Sequence, residues 1–336
     1  MMKTRAASLS FAERCRNILA ANWQAHLNTI KADAKGSKDE IYTSKVHYAF
    51  QKGRPYLWIG EGDLHNMNTI IDERGSLSIC TPIPGPLMGL LKSIRKLPAR
   101  VALSGDVVRL KDKKVQAVVD SIKESILLEH KTASQASYTS SAVLSSAGIS
   151  CRSRSEIFQE ILNESDSYNI YKFDIGYGKL ISYYRFLESV KLTLRRTRSM
   201  DINLNYINIF SSFFLFLCHL VTEGTHILCT VPFSGKLIDG INQSQTRRRA
   251  LMLFCFEYHN VSPRDALMLS VDRKGFDVLA KVPETAAGGG GAQQYQWKEF
   301  RFSFKEEAKD VEAFCQMLVE LEEEALQHVN SYSGLG

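Results

Sequence analysis

Between residues 44 and 110 the chain is cut into short β-rich segments separated by Gly and Pro turns, and this spacing leaves few folds open to it. SKVHYAF (44–50) alternates apolar and polar side chains, QKGRP supplies Gly53 and Pro55, and YLWIG (56–60) resumes as a β-rich run. Together they predict a hairpin. GDLHNMNTIIDERGSLSICT predicts a short helical turn from Asn66 to Ile71 and then a strand SLSIC, while GPLMGLLKSIRKLPAR reads as a basic connection. RVALSGDVVRL (100–110) is a further strand that bends at Gly105. A helix pattern precedes the set, with Phe11, Cys15, Ile18, Leu19 and Trp23 at steps of three and four between Phe11 and Leu27. Another follows it, with Val115, Val118, Val119, Ile122, Ile126 and Leu127 at helical spacing. Helix, closely spaced strands, helix predicts a small β-barrel with helices packed on it.

The rest of the chain has its own pattern. Residues 132–155 are rich in Ser and Ala and poor in bulky apolar side chains, which predicts a mobile loop or linker. Residues 156–178 hold a short helix and the strand NIYKFDI joining two domains. LIDGINQSQTRRRALMLFCFEYH is a helix with Arg247, Arg248 and Arg249 on its early turns, and DALMLSVDRKGFDVLAKV is a hairpin turning at DRKG. EFRFSF puts Phe300, Phe302 and Phe304 on one face of a strand, and AAGGGGAQQ is a flexible surface loop. A closing helix from Ala308 to Val329 buries Val311, Phe314, Leu318, Leu321 and Ala325 and keeps Glu320, Glu322, Glu323 and Glu324 in water. The class is α+β: a barrel domain at 9–131, then a smaller α+β domain at 235–330, in a chain of 336 residues, long enough for two cores.

Residues 179–234 differ from their surroundings. They contain no alanine and are heavy in Phe, Leu, Ile, Asn, Tyr and Ser. INIFSSFFLFLCHLV (207–221) is the most apolar run in the protein, with Arg195, Arg196 and Arg198 before it. At about 15 residues, with two serines and a histidine inside, it falls short of the roughly 20 that cross a bilayer core, so a membrane anchor ranks last. Two readings stand ahead of it. One is a lineage-specific insertion. The other is a retained intron, because the biased composition, the Phe-Leu run and the Gly178-Lys179 pair match translated AT-rich DNA, a pyrimidine tract and a read-through donor site.

The net charge of +6 is mild, and the atypical segment carries a surplus of Lys and Arg, so charge alone does not point to nucleic acid. Arg247 to Arg249 lack the aromatic interleaving of a single-strand binder and read first as a basic turn on an exposed helix. Seven scattered cysteines without a CxxC pair predict reduced thiols in an intracellular compartment. No metal constellation or Ser-His-Asp set is visible. The opening MMKTRAASLSFAERCRN has no apolar core of signal-peptide length; it is poor in acids, as a transit peptide is, but runs directly into a helix, so any targeting sequence is expected to be missing from it.

SKVHYAFQKGRPYLWIGEGDLHNMNTIIDERGSLSICTP and LPARVALSGDVVRL together resemble the FMN-binding split barrel of the pyridoxamine 5'-phosphate oxidase-like superfamily. The turn is Leu64-His65-Asn66-Met67-Asn68 and the later strand Arg100-Val101-Ala102-Leu103-Ser104-Gly105. The back half resembles the domain that follows the barrel in heme-utilisation (HugZ-like) proteins and in plant relatives that include the glutamyl-tRNA reductase-binding protein. Ile241-Asn242, Ser270-Val271-Asp272-Arg273-Lys274-Gly275-Phe276 and the Phe-rich strand before the acidic helix carry that likeness.

The resemblance implies FMN as cofactor, a homodimer built through the barrel, a protein partner in tetrapyrrole metabolism and a chloroplast location, or otherwise the cytoplasm. It nominates Ser44, Lys45, His65, Asn68 and Arg100 for the phosphate side of the flavin, since an anion needs fixed cations and donors at a preorganised turn. Two departures count against catalysis: Met67 stands where flavin-binding members commonly carry Lys or Arg, and Asn242-Gln243-Ser244-Gln245 stands where relatives often carry Asn-Glu-Asp-His. For His65 the competing reading is a histidine that packs and caps a turn, and for Lys45 and Arg100 a solvated strand residue. Three functions follow in order: a non-catalytic regulatory binding module, an active FMN-dependent oxidoreductase, and a membrane-anchored protein.

Overall fold

The computed structural model describes residues 9–33, 36–81, 83–148, 151–163, 167–181, 233–284 and 294–333. It opens with helix α1 (Phe11–Ala21), whose N-terminus is closed by a capping box between Ser10 and Glu13. Strands β1 (Gln24–Asp33), β2 (Gly36–Gln51) and β3 (Arg54–Gly60) follow, then helix α2 (His65–Ile71) and β4 (Arg74–Cys80). Helix α3 (Gly85–Ser93) and β5 (Arg100–Arg109) lead to helices α4 (Asp112–Ser134), α5 (Tyr138–Ser145) and α6 (Arg154–Asn163), and β6 (Tyr168–Ile181) completes the barrel, while Leu87 and Leu91 of α3 and Val143 of α5 pack into the core of the later three-stranded sheet. The six strands close into an antiparallel barrel in the order β1-β2-β3-β6-β5-β4. The expected β-barrel and the expected α+β class both hold.

Alternation along the strands decides what lies inside. Leu27, Tyr48, Leu57, Ile59, Leu77, Ile79, Val101, Leu103 and Phe173 fill the barrel, joined by Cys15, Ile18 and Leu19 of α1. The Tyr48 hydroxyl, which has no water to turn to, donates to the Leu19 carbonyl at 2.7 Å. The opposite faces of β2, β3 and β6 present Ala49, Trp58 and Ile170 to Ile122 and Ile126 of α4 and Phe158 of α6. Gly105 sits where β5 shifts register against β6. A Cβ there would lie 2.0 Å from the Asp174 carbonyl oxygen, so only glycine admits this approach.

The second domain contains α7 (Ser234–Gln243), α8 (Gln245–His259), the sheet β7 (Asp265–Asp272), β8 (Gly275–Pro283) and β9 (Tyr295–Ser303), and α9 (Val311–Ser333). Phe276 stacks on Phe302 at 5.3 Å and Phe304 meets Phe314 edge-on at 5.2 Å, so the phenylalanines of the Phe-rich strand knit the sheet to the closing helix.

Several expectations are corrected. The first helix stops at Ala21 and not Leu27, because Ala25, Leu27 and Thr29 take up the two-residue alternation of β1. The basic connection before Arg100 contains α3, opened by Pro84 and Pro86 and burying Leu87 and Leu91. Much of the Ser-rich stretch 132–155 is helical: α4 runs to Ser134, and α5 buries Ser140 and Val143. The helix expected from LIDG onward is two helices, broken at Ser244, which caps α8. Lys179, Leu180 and Ile181, the first residues of the atypical segment, pair with β5 as part of β6. The intron, insertion and membrane readings of 182–232, and the AAGGGGAQQ loop up to Gln293, lie outside the described residues. No helix among the described residues is long and apolar enough to cross a membrane.

Candidate functional site

The turn that resembles the flavin-binding motif is assembled by local hydrogen bonds before any ligand is considered. Asp63 accepts from the His65 backbone N–H at 2.9 Å through Oδ1 and from the Ser44 hydroxyl at 3.0 Å through Oδ2, which ties the start of α2 to β2. Asn66 donates from Nδ2 to the carbonyls of Gly60, Glu61 and Asp63 at 2.7 to 3.0 Å. Its Oδ1 accepts from the Tyr171 hydroxyl at 2.9 Å and from Asn169 at 3.2 Å, both on β6. Asn66 is therefore the hub of the turn, and its link to β6 was invisible in sequence because Asn169 and Tyr171 lie more than 100 positions away.

His65 and Asn68 face inward. His65 is 0% exposed and Asn68 2%. Asn68 Oδ1 accepts from the Ala32 backbone N–H at 3.0 Å, which fixes the amide so that Nδ2 donates to Thr29 Oγ1 at 2.9 Å. The Thr29 hydroxyl also shares a hydrogen bond of 2.8 Å with His65 Nδ1. Burial lowers the imidazole pKa, against the pull of Asp63, so the ring is held neutral. Its edge packs on Tyr42 with centroids 4.7 Å apart. Nε2 is buried with no hydrogen-bond partner among the described residues.

The other nominated residues lie elsewhere. Lys45 is exposed on β2 opposite His26. Arg100 opens β5 opposite Cys80, whereas Thr29 pairs with Gly75 and through it with Gly105. Five residues of strand separate Arg100 from that row, roughly 17 Å at the ordinary rise. Within one chain, then, Ser44, His65 and Asn68 come together around α2, with Lys45 nearby on β2 and Arg100 apart. The first three are occupied by Asp63, Thr29 and Ala32, so one chain does not aim a converging set of donors at a phosphate. Met67 instead points into solvent at 62% exposure, in an apolar stripe with Leu64, Ile70 and Ile71.

A cleft of about 280 Å³ that sequence reasoning missed lies between the domains. Arg14 and Ile18 of α1, the stretch 96–99, Ser234 at the start of α7, and Ser270 and Asp277 of β7 and β8 line it. Beneath it Arg301 forks onto Asp272 with bonds of 2.7 and 2.8 Å, and Ser270 donates to Asp277. Burial pushes the Asp277 carboxyl up, against the opposing pull of Arg301 and the Ser270 bond. The cleft offers charge and apolar wall side by side, a setting for binding. The signal that could have found it is the SVDRKGF motif, which supplies Ser270 and Asp272 and is followed by Asp277.

The positions corresponding to Asn-Glu-Asp-His hold structure together. Asn242 exchanges two bonds with the Met268 backbone, at 2.9 and 2.7 Å, and pins α7 to β7. Gln243 donates to Asp239 at 2.9 Å and Ser244 caps α8. Among the described residues no three His, Cys, Asp or Glu side chains gather as metal ligands.

No family model matches the chain, and no curated protein matches it. Among solved structures, the heme-binding protein from Mycobacterium smegmatis is 16% identical with a TM-score of 0.47, and the alignment covers 96% of this chain and 99% of that one. The heme storage protein HutZ from Vibrio cholerae is 11% identical with a TM-score of 0.31, covering 51% of this chain and 90% of that one. A pyridoxamine 5'-phosphate oxidase-like structure from Listeria innocua is 10% identical with a TM-score of 0.30, covering 51% and 98%.

Proposed function

We propose that this chain is a binding module built on the split barrel, non-catalytic and regulatory, serving heme or tetrapyrrole metabolism as a homodimer. The observation that carries the non-catalytic part is the state of the motif turn. Most of its polar groups are engaged in hydrogen bonds that build the turn, His65 Nε2 being without a partner among the described residues, and Met67 adds no charge where the resemblance places one for a flavin phosphate. A flavin enzyme asks the protein for little beyond a well-made cofactor site, so an unmade site removes the activity. The link to tetrapyrroles rests on the resemblance of the second domain's motifs, with a protein partner in that metabolism as its corollary.

The homodimer is supported by α2. Leu64, Met67, Ile70 and Ile71 recur at steps of three and four on one side of it, and Ile70 is 70% exposed. An apolar stripe on a short helix is a surface that association covers. A second copy is the occupant we assign, because the resemblance closes the barrel's ligand seam with a partner of the same kind.

Colour tests the function. Full-length protein incubated with FMN and passed through gel filtration is expected to emerge without flavin absorbance, at the size of a dimer. Ile70→Asp is expected to shift it to a monomer. Flavin retained at one per chain, with turnover of an electron acceptor, overturns the proposal in favour of the oxidoreductase.

A further inference from the structure

On the second domain, away from the motif turn and the interdomain cleft, lies a polar concavity of about 540 Å³. Its floor is one row of the three-stranded sheet: Asp265 of β7 pairs with Lys281 of β8, and Lys281 pairs with Trp297 of β9. Directly paired residues project from the same face of a sheet, so carboxylate, ammonium and indole stand side by side. Arg264 precedes the row, its backbone N–H bonded to the Lys281 carbonyl at 2.8 Å, and the second turn of α8 brings Arg248 and Arg249 to the wall. The Arg247–Arg249 triplet of the sequence is thus divided, with its last two members lining this hollow.

Charge is not balanced here. Four cations line the hollow against one carboxylate, and Asp265 is engaged by Arg248. Arg249, Arg264 and Lys281 have no carboxylate partner among the described residues. The Arg248 Nε is buried without a hydrogen-bond partner among them, a donor whose desolvation is uncompensated. Cations from separate elements held around one hollow favour an anion of more than one charge, and guanidinium forks match phosphate oxygens in pairs. The volume lies in the range of small-molecule sites, far above that needed by a lone ion. Trp297, half-buried in the lining, supplies an aromatic surface beside the cations.

We propose that this concavity binds a small phosphate ester carrying a flat ring, its phosphate held by Arg249, Arg264 and Lys281 and its ring laid against Trp297. The proposal stands apart from the function of the barrel. Titration calorimetry on the full chain tests it with three probes: ADP, inorganic pyrophosphate and adenosine. ADP is expected to bind saturably, pyrophosphate at least about fivefold more weakly, in line with the stacking contribution of one base, and adenosine not at all. Arg249→Gln with Lys281→Gln is expected to weaken ADP at least tenfold with the melting temperature preserved. Trp297→Leu is expected to weaken ADP and leave pyrophosphate unchanged. Should the double variant unfold, Arg249→Gln alone, at an exposed position, carries the test with a smaller loss. Absence of ADP binding, equal affinity for ADP and pyrophosphate, indifference to the Arg249 substitution, or tighter binding of a single-stranded RNA oligomer than of ADP overturns the proposal.

Discussion

Asn68 and Lys45 were nominated together from the sequence, and the structure gives them opposite settings. Asn68 spends its amide on the Ala32 N–H and the Thr29 hydroxyl inside the protein, while Lys45 stands in water. Removing the Asn68 amide leaves a buried N–H and a buried hydroxyl short of partners, a loss of about 1–3 kcal/mol. Asn68→Ala is therefore expected to lower the melting temperature by several degrees, and Lys45→Ala to change stability by less than about 0.5 kcal/mol. Thermal unfolding of both variants checks this, and equal small effects would show that the turn does not depend on Asn68. The same residues show the limit of reading a site from a motif. The residue types at Ser44, His65 and Asn68 suit an anion or a hydrogen-bonded core equally. The choice is made by Thr29 and Asp63, one of them on another strand, and no pattern in the turn itself announces them.

At the scale of elements, the parts that were legible are those whose pattern is local. The hairpin of β2 and β3 turns at Lys52 and Gly53, both at positive φ, where the sequence places its only glycine between two alternating runs. Of the expected stripe, Val311, Phe314, Leu318 and Ala325 are buried and Leu321 is partly buried. β1 was hidden because the helical spacing from Phe11 continues by coincidence through Trp23, whereas the strand's own alternation includes a buried threonine. α3 was hidden by its prolines and glycines, which mark a loop unless the helix begins on them. The bend at Gly105 was legible as a glycine in a strand, and its necessity comes from the Asp174 carbonyl. Gly105→Ala must move β5 from β6, and a destabilisation above about 3 kcal/mol, or failure to fold, is expected; a soluble variant with an unchanged melting curve removes that account of the bulge.

α1 also joins the two domains. Glu13 accepts from Ser10 and faces Arg273 and Lys274 in the β7–β8 turn, and Glu307 meets the same two cations at 3.4 and 3.8 Å. Burial raises the Glu13 carboxyl, but the Ser10 bonds with Arg273 and Lys274 outweigh it and hold the pKa at about 2. A carboxyl lowered on folding stabilises fully above its ordinary value of 4.5, and that share is lost as pH falls from there toward about 2. Glu13→Gln is expected to melt earlier than the parent at neutral pH, with the gap closing as pH drops through this window. A gap independent of pH would mean that the effect comes from the lost helix cap and not from the charge.

For the whole molecule the decisive question is whether the barrel and the second domain need the segment that separates β6 from α7 in sequence. Ile181 pairs with Arg100, whose neighbour Ala99 lines the interdomain cleft, and Ser234 lines the same cleft. The two ends thus open onto one place. The barrel closes with β6 paired on both sides, and the second core includes Phe233 and Leu237 of the α7 end with Leu87 and Leu91 of α3 and Val143 of α5. Closing a loop between neighbouring ends costs only logarithmically in its length, so a short connection is no harder to accommodate than a long one. Replacing residues 182–232 by a short Gly/Ser linker is therefore expected to give a soluble protein with cooperative unfolding and with the flavin and ADP behaviour of the full chain. A deletion variant that is insoluble or melts without cooperativity overturns this and makes the segment part of the fold. Sequencing of mature transcripts then separates the two origins: messages that all carry the codons for residues 180–230 rule out the retained intron and leave a lineage-specific insertion.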